Sequence, residues 1–274
     1  MIGVSLMLRF ILLFVVMFYS SFASSNSSNT LTIEGTGDSQ ELLRGIANLY
    51  TQKYPNHNII IPQSVGSGGG IKKVLQNECE VARVARTLKQ KEEASGLSYL
   101  LFGYSPIVFV INTDKKNINL SIDDIVAIYS GKVTQWEEIE NSHIAGKIYV
   151  INREDGDSSK TIIENNIPQF KNIKTAVGIT AFYNAEAISL ITKYKNTIGY
   201  LPMPNIQHTN LSIVAINNIY PNITNIQKKD YKLLTPFGLV YKENLSNIAK
   251  SFIEFLKTQE IKEFMLSQGV ISNF

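Results

Sequence analysis

Three times along this chain a β-type run passes through a polar turn into an amphipathic helix. Residues 31–34 (Leu-Thr-Ile-Glu) lead through Gly35-Thr-Gly-Asp-Ser39 into a segment whose Leu42, Leu43, Ile46, Leu49 and Tyr50 share one helical face. Residues 58–61 (Asn-Ile-Ile-Ile) lead through Gly66-Ser-Gly-Gly-Gly70 into Ile71-Lys-Lys-Val-Leu75. Residues 147–151 (Lys-Ile-Tyr-Val-Ile) lead through the polar stretch 152–159 into a helix beginning at Lys160. This alternation predicts an α/β fold built on parallel strands. Residues 105–111 are apolar on both alternating faces, the pattern of a central buried strand. Ser121-Ile-Asp-Asp124 predicts a helix opened by a capping box, with Asp124 in place of the usual Glu and Gly131 as its stop. Further strands are expected over 197–201, 211–216 and 233–241, and two C-terminal helices on the apolar faces Ile248/Phe252/Phe255/Leu256 and Ile261/Phe264/Met265.

Composition narrows the function classes. The chain has 274 residues, 44% hydrophobic and 18% charged, which excludes disordered and fibrous proteins. Its 26 basic and 23 acidic residues leave a formal charge of +3 with no Lys/Arg block, so there is no electrostatic footprint for nucleic acid. Cys79 is the only cysteine, which rules out an internal disulfide framework or thiolate metal cluster, and it reads as a small buried hydrophobe. Arg9, the apolar run 10–19 and the small residues Ser21 and Ala23 read as a secretory signal peptide over residues 1–23, followed by a disordered polar leader at 24–30. The run is shorter than the ~20 residues a spanning helix needs. The mature protein is therefore expected outside the cytoplasm. Five Asn-X-Ser/Thr triplets, starting at Asn26, Asn119, Asn210, Asn222 and Asn244, are expected to be chance in an Asn-rich chain.

The turns are where chemistry is expected. A helix N-terminus presents unpaired N–H groups and about half a positive charge, so a Gly/Ser turn feeding a helix suits an anion. One such turn alone reads as an ordinary N-cap; three together point to convergence on one anion. Ser39 and Ser67 would serve as N-caps and hydroxyl donors, the glycines at 68, 69 and 70 would allow close backbone approach, and Arg153 would bring a guanidinium fork suited to two oxygens of a tetrahedral oxyanion. The second turn is no Walker loop, because no Gly-Lys-Ser/Thr ends it. Enzyme signatures are not found: His57, His143 and His208 are dispersed with no metal-ligand spacing, and there is no Gly-X-Ser-X-Gly elbow. Asp155 and Asp157 read either as an acid/base pair or as a shell orienting Arg153. Trp136 reads as a packing anchor. No cofactor or metal is expected.

The order Gly35-Thr-Gly-Asp-Ser-Gln40, Gly66-Ser-Gly-Gly-Gly-Ile-Lys72, residues 80–88, Gly131-Lys-Val-Thr-Gln-Trp136, residues 153–159 and Ile198-Gly-Tyr200 resembles the periplasmic phosphate-binding proteins of ABC-type phosphate importers over nearly the whole mature chain. The resemblance implies a two-lobed periplasmic-binding-protein fold of type II, each lobe a sheet flanked by helices with the ligand cleft between. Lobe one would hold 31–105 plus 203–274, and lobe two 106–202. It also implies a monomer that captures inorganic phosphate and delivers it to an inner-membrane permease, with no enzymatic activity. Carried onto this chain, the ligand set is Ser39 and Gln40 (the latter through its backbone), Ser67, Arg86, Arg153 and Asp155, with Asp157, Ser158 and Ser159 standing where the family commonly has Ser-Gly-Thr. Ala85 stands where the family has a ligand-touching Ser or Asp, and Asp157 replaces a hydroxyl donor. The alternatives are a receptor for another tetrahedral oxyanion, or a phosphatase-like or adhesive surface protein on the same fold.

Overall fold

The computed structural model describes residues 29–140 and 142–274. The expected signal peptide, and all but the end of the polar leader, lie outside them. The first two repeats form β1 (Thr30–Gly35), α1 (Gln40–Lys53), β2 (Asn58–Ile60), α2 (Gly66–Leu75) and β3 (Val81–Val84), with β1 parallel to both β2 and β3. After the short helix α3 (Gln90–Glu93), β4 (Ser98–Ile111) runs for 14 residues. It is longer than the apolar run that predicted it because it serves two cores.

The second core is built from β5 (Ile118–Leu120), α4 (Ile122–Tyr129), β6 (Tyr149–Arg153), α5 (Ser158–Asn166), α6 (Pro168–Lys171), β7 (Ile179–Ala181), α7 (Asn184–Lys193), β8 (Thr197–Pro202), β9 (Ser212–Ile216) and α8 (Ile223–Gln227). The chain then returns through β10 (Leu234–Tyr241) and ends in α9 (Asn247–Leu256), α10 (Gln259–Ser267) and β11 (Ile271–Ser272). The main strand order is β2-β1-β3-β10-β4-β8-β6-β7. Residues 98–106 of β4 pair with β10, and residues 107–111 pair with β8. β4 is thus the spine shared by both lobes.

Each lobe closes over its own apolar cluster. In the first, Leu42, Leu43, Ile46 and Tyr50 of α1 meet Phe252 and Leu256 of α9 and Phe102, Phe237 and Leu239 of the sheet. In the second, Phe109, Tyr129 and Tyr200 meet edge-on or tilted at 5.6–5.9 Å between ring centres, a geometry that adds about 0.5–1.5 kcal/mol per pair beyond area burial. Ser121 and Asp124 form the expected reciprocal cap, with Asp124 N donating to Ser121 Oγ at 3.0 Å and Ser121 N to Asp124 Oδ2 at 2.8 Å. Trp136 is fully buried, and its Nε1 donates to the Asn196 carbonyl at 3.0 Å. Cys79 is only partly buried at the edge of a core cluster, and burial pushes its thiol up to about 11.

The division between lobes differs from the sequence expectation at one end. Residues 203–233, expected in lobe one, sit with the second core: β9 pairs with Val110 and Ile111 of β4 and with β5, and Val214, Ile226, Tyr231 and Leu233 pack among Ile107, Phe109 and Ile125. The chain re-enters the first lobe only at β10. The reason is that β9 carries a buried alternation that fits the open edge of the second sheet.

Candidate functional site

Between the two cores lies a cavity of about 780 Å³. Its walls are the three turns singled out in the sequence, the segment after β3 with Ala85, Arg86, Thr87 and Lys89, and one further turn. Thr36, Gly37 and Asp38 come from the β1–α1 turn, Ser64 to Gly68 from the start of α2, and Arg153, Glu154 and Gly156 to Ser158 from the β6–α5 turn. The contributor missed in the sequence is the β7–α7 turn with Phe182, Tyr183 and Asn184. It carries no glycine or serine, so its only local signal was the Asn that opens the helix.

The first turn is fixed from beneath by Arg83, which is fully buried. Its guanidinium donates to the carbonyls of Ile33, Thr36 and Pro62 and to Gln40 Oε1. Burial lowers its pKa to about 10, against the opposing pull of Glu34. The second turn differs from the expected loop. The helix begins at Gly66 itself, so the glycines form its first turn rather than precede it. A Cβ on Gly70 would lie 2.7 Å from the Gly35 Cα and 3.1 Å from the Glu34 carbonyl oxygen, so glycine there is what lets α2 lie against β1. A Cβ on Gly68 would meet nothing within 4 Å.

The expected ligand residues divide. Arg153 is 5% exposed and is held on three sides: Nε donates to the Ala181 carbonyl at 3.1 Å, NH1 to Asn184 Oδ1, and NH2 pairs with Asp157 Oδ2 at 2.8 Å. Asp157 also caps α5 by accepting from the Lys160 N–H at 3.0 Å. Ser158 lines the cavity; Ser159 lies fully buried behind it, and its Oγ has no hydrogen-bond partner among the described residues. Ser39 is likewise fully buried with an unpartnered Oγ, and it occupies the N-cap position of α1 without making the cap hydrogen bond. Ser67 lines the cavity from inside α2 rather than as its N-cap, and its Oγ accepts from the Ala85 N–H at 3.1 Å.

Three expected members are directed elsewhere. Asp155 points to solvent, almost fully exposed, paired with Lys160 at 2.5 Å beside a separate polar cavity of about 510 Å³. That pairing holds its carboxyl below the ordinary range. Arg86 lines the main cavity, but its guanidinium grips Glu92 at 2.7 and 2.8 Å. Gln40 is absent from the cavity wall among the described residues: its side chain accepts from Arg83 at 3.2 Å and its N–H donates to the Gly37 carbonyl at 3.3 Å.

Asp38, read in the sequence only as part of a turn, lines the cavity at the junction of the two lobes. It is 2% exposed; Oδ1 accepts from Asn184 Nδ2 at 3.0 Å, and Oδ2 has no partner among the described residues. Burial and the facing Asp157 carboxylate raise its pKa to about 7 against the opposing pull of Arg153 and the Asn184 hydrogen bond. Asn184 therefore bridges Asp38 of one lobe to Arg153 of the other. A second inter-lobe contact runs from Asn205 Nδ2 to the Gly37 carbonyl at 3.4 Å. The cavity wall thus brings Arg86, Lys89 and Arg153 together with the first turns of α2 and α5, an arrangement suited to a small anion; the unpartnered hydroxyls of Ser39 and Ser159 lie behind that wall, at the starts of α1 and α5. Among the described residues no group of three or more His, Cys, Asp or Glu is arranged to hold a metal, and no helix is long and apolar enough to cross a membrane.

The sequence profile of the PBP superfamily domain matches residues 20–260. Among curated proteins, the phosphate-binding protein PstS of Bacillus subtilis is 23% identical over 92% of this chain and 83% of that protein. PstS of Borreliella burgdorferi is 23% identical over 80% and 81% respectively. Among solved structures, a Clostridium perfringens protein described provisionally as a phosphate ABC transporter substrate-binding protein, with bound phosphate, superposes with a TM-score of 0.77 at 27% identity. The match covers 89% of this chain and 100% of that one. An ABC-type phosphate transport receptor from Vibrio cholerae superposes with a TM-score of 0.63 at 23% identity over 88% and 99%.

Proposed function

Because the chain belongs to the PBP superfamily, we propose that it is an exported receptor that captures inorganic phosphate between its two lobes and delivers it to the permease of an ABC importer. The fold is the two-lobed α/β architecture of type II binding proteins, as in the phosphate receptors it superposes on. What supports the ligand is Arg153, buried on the cavity wall, together with two fully buried hydroxyls that have no partner among the described residues, Ser39 on one lobe and Ser159 on the other. Buried hydroxyls without partners cost free energy, and a tetrahedral oxyanion seated between them supplies acceptors to both. In this reading Ser67 and Ser158 complete the cradle, Asp157 and Asn184 orient Arg153, and Asp155 and Gln40 act from outside it. The work is capture and release: an anion that bridges both lobes favours the closed arrangement by its differential affinity for it.

Export, action as a monomer and docking to a permease belong to the same proposal; the named relatives support the transport role. The test is calorimetric titration of phosphate-free protein with phosphate, sulfate and molybdate, on the wild type and on Arg153→Ala. Phosphate should bind the wild type best. Loss of one side of a buried charged contact costs about 2–5 kcal/mol, so Arg153→Ala should weaken binding by roughly tenfold or more. Equal affinities in the two proteins would remove Arg153 from the site, and preference for another anion would replace phosphate by that ligand.

A further inference from the structure

The arginines that line the cavity are committed to partners of their own. Arg153 is paired with Asp157 at 2.8 Å, and Arg86 with Glu92 at 2.7 and 2.8 Å. Lys89 stands exposed at the rim. A further positive charge lies directly behind the wall, under the β1–α1 turn. Arg83 is fully buried, and the acceptors it grips, the carbonyls of Ile33, Thr36 and Pro62 and Gln40 Oε1, are all neutral. Glu34 pulls on it from beyond contact and is itself held by Lys73 at 2.7 Å. Burying a guanidinium against neutral groups alone is costly, and in a medium of low polarity its charge acts on whatever lies across the turn.

The turn passes that charge on with a fixed orientation. Arg83 Nε donates to the Thr36 carbonyl at 2.7 Å from beneath. In a planar trans peptide the C=O and the following N–H point in opposite directions, so the Gly37 N–H points away from Arg83, toward the cavity that Thr36 and Gly37 line. The neighbouring Asp38 N–H is taken by Thr36 Oγ1 at 3.3 Å, whereas the Gly37 N–H has no partner among the described residues. We propose, resting on the oxyanion reading above, that Arg83 is a positioning residue for anion capture: it fixes the Thr36–Gly37 peptide with its N–H presented to the ligand and sets a buried charge, without a carboxylate in contact, behind that donor. Arg83 polarises the peptide through its carbonyl, which strengthens the hydrogen bond its N–H gives to an anion, and the guanidinium itself never touches the ligand.

The experiment has two arms. In the first, amide NMR spectra of the isotope-labelled wild type are followed as inorganic phosphate is added. The Gly37 amide proton should move downfield with saturation, the signature of a new hydrogen bond to an anion. In the second, calorimetric titration with phosphate compares Arg83→Lys, which keeps the charge and can still donate to carbonyls, with Arg83→Met, which keeps the chain length and removes the charge; denaturant unfolding of both variants accompanies it. Arg83→Met should weaken binding by about tenfold or more and Arg83→Lys by less than about threefold, even where the two lose similar stability. A Gly37 amide that stays still while those of Ser158 and Asn184 respond would overturn the assignment and leave phosphate capture standing. Equal affinity in the two variants would do the same. Phosphate that moves no cavity amide of the wild type and releases no heat would overturn both. The wild-type spectra decide the question even if a variant does not fold.

Discussion

A carboxyl whose folded-state pKa lies above its unfolded one works against folding once it ionises. Asp38 rises from 3.8 to about 7 on folding, first through burial and then through Asp157. Its contribution to stability is therefore lost progressively as pH climbs between those two values, and the deficit is complete above the higher one. Fully developed, the deficit is on the order of 4 kcal/mol before any relaxation around the site. Asp38→Asn should raise the unfolding temperature of the phosphate-free protein at about pH 8, and raise it less at about pH 5, where the wild-type side chain has only begun to pay the penalty. Thermal unfolding at the two pH values checks this; an equal effect at both would show that Asp38 is not the titrating group.

At the scale of elements, the helix N-termini decide the site, and they were unequally legible. The β1–α1 and β6–α5 turns stood out because Gly and Ser punctuate them between periodic runs, and Ser39 and Ser159 lie fully buried there. Four glycines in five residues read as a loop before α2, whereas the helix starts at Gly66 and Gly70 packs it against β1. Asp155 drew attention through its proximity to Arg153 in sequence, but Asp157 at the N-cap is the carboxylate that reaches the guanidinium. Asp38 and Asn184 acquire meaning only across a gap of 146 residues, which no local pattern encodes. The close approach of α2 gives a prediction at this scale. Gly70→Ala should destabilise by about 1–3 kcal/mol, because the added methyl meets backbone atoms of β1 that cannot turn aside. Denaturant unfolding measures it, and a neutral result would mean that α2 moves away without cost.

For the molecule as a whole, β4 and β10 hold the lobes on one continuous sheet, while the cavity between them is crossed by Asn184 to Asp38 and Asn205 to Gly37. Two separately packed cores joined by a few strands, with the polar groups gathered at the interface, allow the cleft to open and close without disturbing either core. The resemblance places residues 203–233 in lobe one, whereas β9 pairs with residues 110–111 of β4 and β10 with residues 98–106, a difference that only the pairing along β4 makes visible. The central claim is that a single oxyanion joins the two lobes at Ser39, Ser159 and Arg153. A crystal structure of the protein grown with phosphate tests it most directly. The account predicts one tetrahedral ion with oxygens within about 2.5–3.2 Å of Ser39 Oγ, Ser159 Oγ and the Arg153 guanidinium. An ion bound by one lobe alone, or seated elsewhere in the cavity with both buried hydroxyls still unpartnered, would contradict it.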